Sequence, residues 1–152
     1  MVSVIKINRK VEYALMALKY MADKTEGELT SAREVCENFQ TPFDTTAKVM
    51  QAMNIHNILT SIKGVKGGYT LARKLSEISY MELSRIVEGK EVEMSCRRGG
   101  NVHCELAGNC NIITPVERLN HKLNDYLEKL SLQELLLENM KEIPNINQTG
   151  GQ

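Results

Sequence analysis

Three observations in the sequence predict a mostly α-helical fold with one small β-hairpin, an α+β architecture. Two short amphipathic helices follow one another across a tight polar link within residues 31–57, which is the arrangement of a helix-turn-helix. Two β-prone runs, ILTSI and YTLA, then flank the segment KGVKGG, and its glycines favour a hairpin turn. A further amphipathic helix begins near Thr114. This order of elements predicts a winged helix-turn-helix with a long C-terminal dimerisation helix.

The first predicted helix covers residues 11–23, VEYALMALKYMAD. Its apolar side chains recur every three or four positions, which is the period of one helix face. They are Val11, Leu15, Leu18 and Met21. Glu12 and Lys19 belong to the other faces of this helix.

The second and third helices form the predicted helix-turn-helix. Ser31 and Glu34 have capping-box spacing, and Cys36 on the apolar stripe behind them is interpreted as a small buried hydrophobe. Thr41 is expected to cap the third helix, with Pro42 in its first position. The predicted inward residues of that helix are Phe43, Ala47, Met50 and Met53, and the outward ones are Thr45, Thr46, Lys48 and Gln51.

Three more helices are predicted after the hairpin. Ser79-x-x-Glu82 has the spacing of a second capping box, and Thr114 to Glu117 reads as a third cap. The long helix behind Thr114 carries apolar residues spaced by threes and fours: Val116, Leu119, Leu123, Tyr126, Leu127 and Leu130. The segment SLQELLLENM is expected to form the last helix or a turn.

The predicted organisation has four parts. Residues 1–89 form the DNA-binding domain, 90–113 a cysteine-rich loop, 114–140 the dimerisation helices and 141–152 a frayed tail.

Composition excludes several classes of function. The 152 residues carry no net charge, so no global field attracts nucleic acid or acidic membranes. No apolar run approaches the ~20 residues of a membrane span, and the N-terminus lacks a signal-peptide core, which predicts a cytoplasmic chain with no membrane partner. We also find no Ser/His/Asp order, phosphate loop or paired catalytic carboxylates, so the chain is not expected to be an enzyme.

Local charge nevertheless indicates a DNA reader. Residues 41–75 contain five cationic side chains and one acidic side chain, a net charge of +4. A recognition helix reads the major groove with its N-terminal half, here Asp44, Thr45 and Lys48. Lys63 and Lys66 on the hairpin can neutralise phosphates or enter the minor groove. The alternative is a solvated basic face on an ordinary α+β domain.

Cys96, Cys104 and Cys110 lie in one glycine- and asparagine-rich stretch, SCRRGGNVHCELAGNC. They are separated by seven and five residues, without the short hooks of zinc ribbons. This spacing suits a loop around a larger object such as an iron–sulfur cluster, whose irons accept thiolates and an occasional other ligand. Zinc, or three thiols without metal, are the alternatives.

The sequence resembles a known bacterial family. The segments NRKVEYALMALKYMA, TPFDTTAKVMQAM and SIKGVKGGYTLA, with the three-cysteine loop, are similar to the Rrf-type winged-helix regulators. The resemblance covers residues 5 to about 137 in the same order. It implies a homodimeric transcription regulator, expected to be a repressor, whose subunits each bind one half of a palindromic operator on double-stranded DNA.

The resemblance also implies site residues. Cys96, Cys104 and Cys110 match the family's ligands to an iron–sulfur cluster, of the 2Fe-2S or 4Fe-4S type. Thr45 and Lys48 match its recognition helix, and Lys63 matches a wing residue that enters the minor groove. Tyr69 of the wing and Ser31 complete the candidate DNA-binding set, which is Ser31, Asp44, Thr45, Lys48, Lys63, Lys66 and Tyr69.

The fourth ligand departs from one branch of the family. Some members carry a histidine three residues after the last cysteine, and the corresponding residue in this sequence is Ile113. In nitric-oxide-sensing members the ligand is an acidic residue on the first helix of the other subunit, and Glu12 occupies that place. A solvated or salt-bridged Glu12 is the alternative. The signal can be iron supply, cluster status, nitric oxide or redox state, and a cluster-free thiol-based repressor is the competing function.

Overall fold

The fold is mostly helical with a two-stranded antiparallel hairpin, which confirms the predicted class. The computed structural model describes residues 6–89 and 108–137, so Cys96 and Cys104 lie outside the described residues. The elements are α1 (Arg9–Ala22), α2 (Ala32–Phe39), α3 (Phe43–Ile55), β1 (Leu59–Ile62), β2 (Gly68–Leu71), a 3-10 turn (Leu75–Glu77), α4 (Tyr80–Glu88), α5 (Ile113–Lys129) and α6 (Leu132–Leu137).

The hydrophobic core is built around α1. This helix packs against both α3 and α4, because its apolar stripe, predicted from periodicity, is wide enough to serve two neighbours. Leu18 of α1, Met50 of α3 and Leu83 of α4 are fully buried members of this one core. Removing such side chains from water is the main stabilising contribution, about 1.5–3 kcal/mol each.

The hairpin is joined to the helix-turn-helix through its second strand. Leu59 pairs with Leu71 and Ile62 with Gly68 in the β1–β2 register. On the other side of β2, Thr30 and Tyr69 exchange both backbone hydrogen bonds, at 2.9 and 2.8 Å. Gly68 permits this approach, since a Cβ there would lie 3.1 Å from the Thr30 carbonyl. The wing is therefore fixed to the residue that immediately precedes the cap of α2.

The capping box of α2 is confirmed, whereas the predicted start of α3 is wrong. Pro42, not Thr41, is the N-cap of α3, and it has an extended backbone with no side-chain cap. The hydroxyl of Thr46 instead donates to that of Thr41 at 2.8 Å. Thr41 is thus engaged inside the domain and does not cap the helix.

The inward face of α3 also differs from the prediction. Thr46 is fully buried, with Val49, Met50 and Met53, whereas Phe43 is 53% exposed. The buried positions are spaced by three, four and seven from Thr46, a single helix face. Phe43 lies at the edge of that face and at the helix end, where less of the domain covers it.

Two other caps differ in detail. The Ser79 hydroxyl accepts the Glu82 amide at 3.1 Å as predicted, but the Glu82 carboxylate binds Arg73 at 2.6 Å and does not complete the box. The long helix begins one residue before Thr114, with Ile112 as an N-cap that makes no side-chain hydrogen bond.

The C-terminal helices return to the core around α1. The Tyr80 amide donates to the Leu130 carbonyl and the Leu132 amide to the Ile78 carbonyl, both at 2.8 Å. Leu132 is fully buried in the same core as α1. Arg85 and Glu128 form an ion pair at 2.5 Å between α4 and α5. These contacts fix the start of α6 to the core around α1.

Candidate nucleic-acid interface and cysteine site

The outer side of α3 carries the polar residues that the sequence assigned to DNA. Asp44 and Lys48 are exposed, and Thr45 is half-buried. The opposite side of the helix is packed on α1, α2 and α4. The residues named for base reading therefore share one solvent-facing surface, supported by a rigid core.

Ser31 lies where the wing meets α2. Its hydroxyl accepts the Glu34 amide at 3.1 Å, and its own amide donates to the Glu34 carboxylate at 3.4 Å. The side chain is half-buried. Its observed contacts position the first turn of α2, and the predicted contact with DNA stays a prediction.

Glu34 makes more contacts than its predicted role in the helix cap requires. Its carboxylate also accepts Lys24 Nζ at 2.5 Å and the Tyr20 hydroxyl at 2.7 Å. Burial raises the pKa of Glu34, but the hydrogen bonds from Lys24 and Tyr20 outweigh it and lower the pKa overall. The hydrogen bond to Glu34 raises the pKa of Tyr20. Tyr20 and Lys24 are four residues apart, but no local spacing links them to Glu34, so only the fold brings the three groups together.

The wing presents its cations at the end of a tight turn. The Gly67 amide donates to the Gly64 carbonyl at 3.0 Å, and Lys63 and Lys66 are exposed. Gly67 is required here, because a Cβ would lie 2.5 Å from the Ile62 carbonyl. Tyr69, in contrast, is half-buried against the core and supports the wing from beneath.

The positive charge of Arg73, which was counted in the net charge of residues 41–75, is neutralised by an ion pair. Its guanidinium binds the Glu82 carboxylate at 2.6 Å and the Glu77 carbonyl at 2.7 Å. The hydrogen bond to Glu82 raises the pKa of Arg73. The exposed cations between residues 41 and 75 are therefore Lys48, Lys63, Lys66 and Lys74.

Of the three candidate cysteine ligands, the structure describes Cys110. It is half-buried and lies three residues before α5. Over residues 6–89 and 108–137, no three His, Cys, Asp or Glu side chains converge as a metal site. Cys96 and Cys104 fall outside those ranges, so the proposed ligand set is only partly described.

Glu12 lies in the first turn of α1. Its carboxylate binds the Arg9 guanidinium at 3.0 Å and remains 33% exposed, so the salt-bridged state considered from the sequence is present. Arg9 is 80% exposed and can move away at little cost, since surface ion pairs contribute only about 0–1 kcal/mol. Glu12 is therefore partly accessible from solvent.

Cys36 differs from its interpretation as a buried residue. It is half-buried and lies beside a shallow surface depression with Arg33, Glu37, Gln40 and Phe43. Its stripe neighbour Phe39 is also turned outwards, with its ring edge-on to Tyr20 at a centroid distance of 5.6 Å. The helix is too short for periodicity alone to place the edge of its buried face.

The element order, the wing and the exposed face of α3 are those of a winged-helix regulator, and comparison with known proteins identifies the family. The Rrf2 family model, described as an iron-dependent transcriptional regulator, matches residues 7–138. The chain belongs to the Rrf2 family. Rrf2 proteins are DNA-binding transcription regulators and not enzymes. The prediction that this chain is a DNA-binding transcription regulator is therefore confirmed.

Relatives and solved structures agree with the Rrf2 assignment. The HTH-type transcriptional regulator NsrR of Oceanobacillus iheyensis is 26% identical over 130 residues, covering 86% of this chain and 88% of the relative. The structure of CymR, the global cysteine regulator of B. subtilis, is similar with a TM-score of 0.66 at 18% identity, covering 88% of this chain and 97% of CymR. That of T. potens IscR has a TM-score of 0.62 at 17% identity, with coverage of 88% and 87%.

The comparisons with CymR and IscR establish the shared fold.

Among the described residues, no helix is both long enough and apolar enough to cross a bilayer.

Proposed function

We propose that this protein is a homodimeric transcription regulator whose operator binding is controlled by an iron–sulfur cluster. The ligands are Cys96, Cys104 and Cys110 of one subunit and Glu12 of the partner subunit. The observation that carries the proposal is the grouping of three cysteines in one segment that leads directly into α5. The likeness to the transcriptional regulator NsrR, at 26% identity, supports the regulatory function, and the description of the Rrf2 family model as iron-dependent supports control through iron.

The donor set fits an iron–sulfur cluster. Three thiolates supply the usual ligands of such clusters, and a carboxylate is a harder fourth ligand. Cys110 is half-buried and Glu12 is one-third exposed, so neither described candidate is sealed in the core. When bound, a cluster supplies a redox-sensitive link that nitric oxide, oxidants or iron shortage can alter.

The chain's own packing can transmit a change at Glu12 to the DNA surface. Glu12 follows directly after Val11, a fully buried core residue of α1. α1 packs on α3, so a displacement of α1 also moves the recognition helix. A two-fold reader needs its half-sites about one helical turn apart. A small change in the separation of the two α3 helices therefore removes specific contacts.

In the proposed complex, α3 lies in the major groove and the wing at the minor groove of each half-site. Asp44, Thr45 and Lys48 read bases or position the helix, while Lys63 and Lys66 neutralise phosphates. Ser31 and Tyr69 hold the junction between wing and α2. A palindromic operator follows from the two-fold symmetry of the proposed dimer.

A second candidate is a cluster-free regulator controlled by cysteine oxidation or by a partner protein. Arg9 binds the Glu12 carboxylate at 3.0 Å, and in a cluster-free regulator this ion pair would persist. The structural likeness to CymR is equally compatible with this function.

Anaerobic purification separates the two candidates. The cluster hypothesis expects a coloured protein containing iron and acid-labile sulfide, with Cys110→Ser losing both. Glu12→Gln is expected to shift the visible spectrum while the far-ultraviolet circular dichroism is retained. Cys36→Ser is the matched control and should keep the wild-type spectrum. A colourless protein without iron after anaerobic reconstitution overturns the proposal in favour of thiol control.

A further inference from the structure

The tip of the wing carries an apolar side chain between two cations. Val65 is fully exposed, and Ile62 of β1 is half exposed on the same hairpin. Lys63 and Lys66 on either side of Val65 are exposed as well. A fully exposed side chain contributes nothing to the core, so its presence at the tip has no explanation in the stability of the domain.

The backbone holds Val65 in this position. Gly64 has a φ of +131°, which favours glycine, and the Gly67 amide closes the turn on the Gly64 carbonyl at 3.0 Å. Val65 and Lys66 are thus the two central residues of a four-residue turn. The turn is tied through β2 to Thr30 by two backbone hydrogen bonds. The apolar tip is therefore presented by a braced loop.

This arrangement has the chemistry of a minor-groove contact. Proteins that enter the minor groove commonly combine cations with an apolar wedge. Lysines on both sides of Val65 can reach the phosphates that border the groove. The guanine 2-amino group projects into the minor groove, whereas A·T pairs carry no donor there. An apolar tip disfavours that amino group, because burying it without a hydrogen bond is costly.

We propose that Val65 contacts the floor of the minor groove and makes the wing select A·T over G·C pairs at its site. The proposal rests on the proposed docking of the wing on DNA. The contact is apolar, so its contribution to affinity does not depend on salt, unlike the phosphate contacts of Lys63 and Lys66.

The probe is a duplex of about three helical turns, enriched by the wild-type protein from a random-sequence pool. The base pairs beneath the wing are then changed from A·T to inosine·C or to G·C. Inosine lacks the 2-amino group, so wild-type protein should bind the A·T and inosine·C duplexes equally and the G·C duplex about three- to tenfold more weakly. If the preference came from the major groove, the inosine·C duplex would bind as weakly as the G·C duplex, because the two pairs present the same groups there. That result overturns the proposal.

Val65→Ser is expected to reduce affinity about three- to tenfold, to weaken the A·T preference and to leave the salt slope unchanged. Lys63→Ala should reduce the slope. Ile55→Ser, at an exposed apolar site on α3, is the matched control and should keep the A·T preference. Full A·T preference in Val65→Ser overturns this inference alone, whereas wild-type protein that enriches no sequence overturns the proposed DNA function itself. Val65→Ser should melt at the wild-type temperature, because the side chain is fully exposed.

Discussion

The ammonium of Lys24 lies 2.5 Å from Oε1 of Glu34, and this contact joins the end of α1 to the first turn of α2. Lys24 is only 11% exposed, it also donates to the Leu29 carbonyl at 3.1 Å, and it lies 4.8 Å from the centre of the Tyr20 ring. The loop between the two helices is therefore organised around one cation. This loop includes Thr30, which holds the wing.

We expect Glu34→Gln to destabilise the domain by about 1–2 kcal/mol at neutral pH, because it removes charge-assisted hydrogen bonds. The pKa of Glu34 is lowered in the folded state, so its stabilising contribution is present above the ordinary carboxyl pKa of about 4.3. That contribution is lost as pH falls through the lowered value. Urea denaturation across this range should show the difference between wild type and variant shrinking with acid.

Glu37→Gln is the control for this pH dependence, since Glu37 is an exposed residue of the same helix. The free energy of unfolding of Glu37→Gln should equal that of the wild type at every pH measured. A Glu34→Gln deficit of equal size at pH 3 and pH 7 would contradict the role assigned to the ionised carboxylate.

Thr46 and Thr30 should respond in opposite ways to the same substitution. Thr46→Val removes the donor to the Thr41 hydroxyl and should cost about 1 kcal/mol. Thr30→Val should be neutral or stabilising, because the Thr30 hydroxyl is the buried side-chain polar atom without a partner among the described residues. Equal destabilisation by both changes, measured by urea titration, would refute this difference.

Lys48→Ala should weaken operator binding and make its salt dependence shallower, by about 0.9 in the log–log slope for each phosphate that the variant no longer neutralises. Lys19→Ala is the control, because the Lys19 ammonium is paired with Asp23 at 2.7 Å on α1. Fluorescence anisotropy over a series of salt concentrations gives both slopes. Identical slopes for the two variants would show that Lys48 does not bind a phosphate.

The apolar face of α5 predicts a dimer seam. None of the 17 residues of this helix is buried, and Leu119 and Tyr126 are 53% and 61% exposed. Leu119→Lys with Tyr126→Lys should convert the proposed dimer to a monomer, because burying two ammonium groups in an apolar seam is costly. Sedimentation measures the mass. Ile55→Lys, at another exposed apolar site, should remain dimeric, and a dimeric double variant would place the seam elsewhere.

Much of the fold was predictable because it depends on local patterns. The apolar period of α1, the Ser31–Glu34 box and the glycines around Val65 each act over a few residues. The candidate DNA residues on α3 followed from the same logic, since an amphipathic helix that buries one face exposes the other. The grouping of the three cysteines was readable as spacing alone.

The wrong expectations concern side chains that can choose between partners. Thr41 had the right spacing to cap α3, but it pairs with buried Thr46. Glu82 had the right spacing to complete a box, but Arg73 provides a stronger, charged partner. Glu12 is salt-bridged to Arg9, a state that the sequence allowed, and its role as a ligand stays a prediction.

By itself, the sequence determined the order of the helices, the glycine-dependent wing and a polar outer face for α3, because steric and periodic preferences act locally. Only the tertiary structure decided that Thr46 faces inwards, that Lys24 meets Glu34, and that Leu132 completes the core. Those outcomes depend on which side chains are brought together across distant parts of the chain. The free energy of each contact then depends on burial and on competing partners.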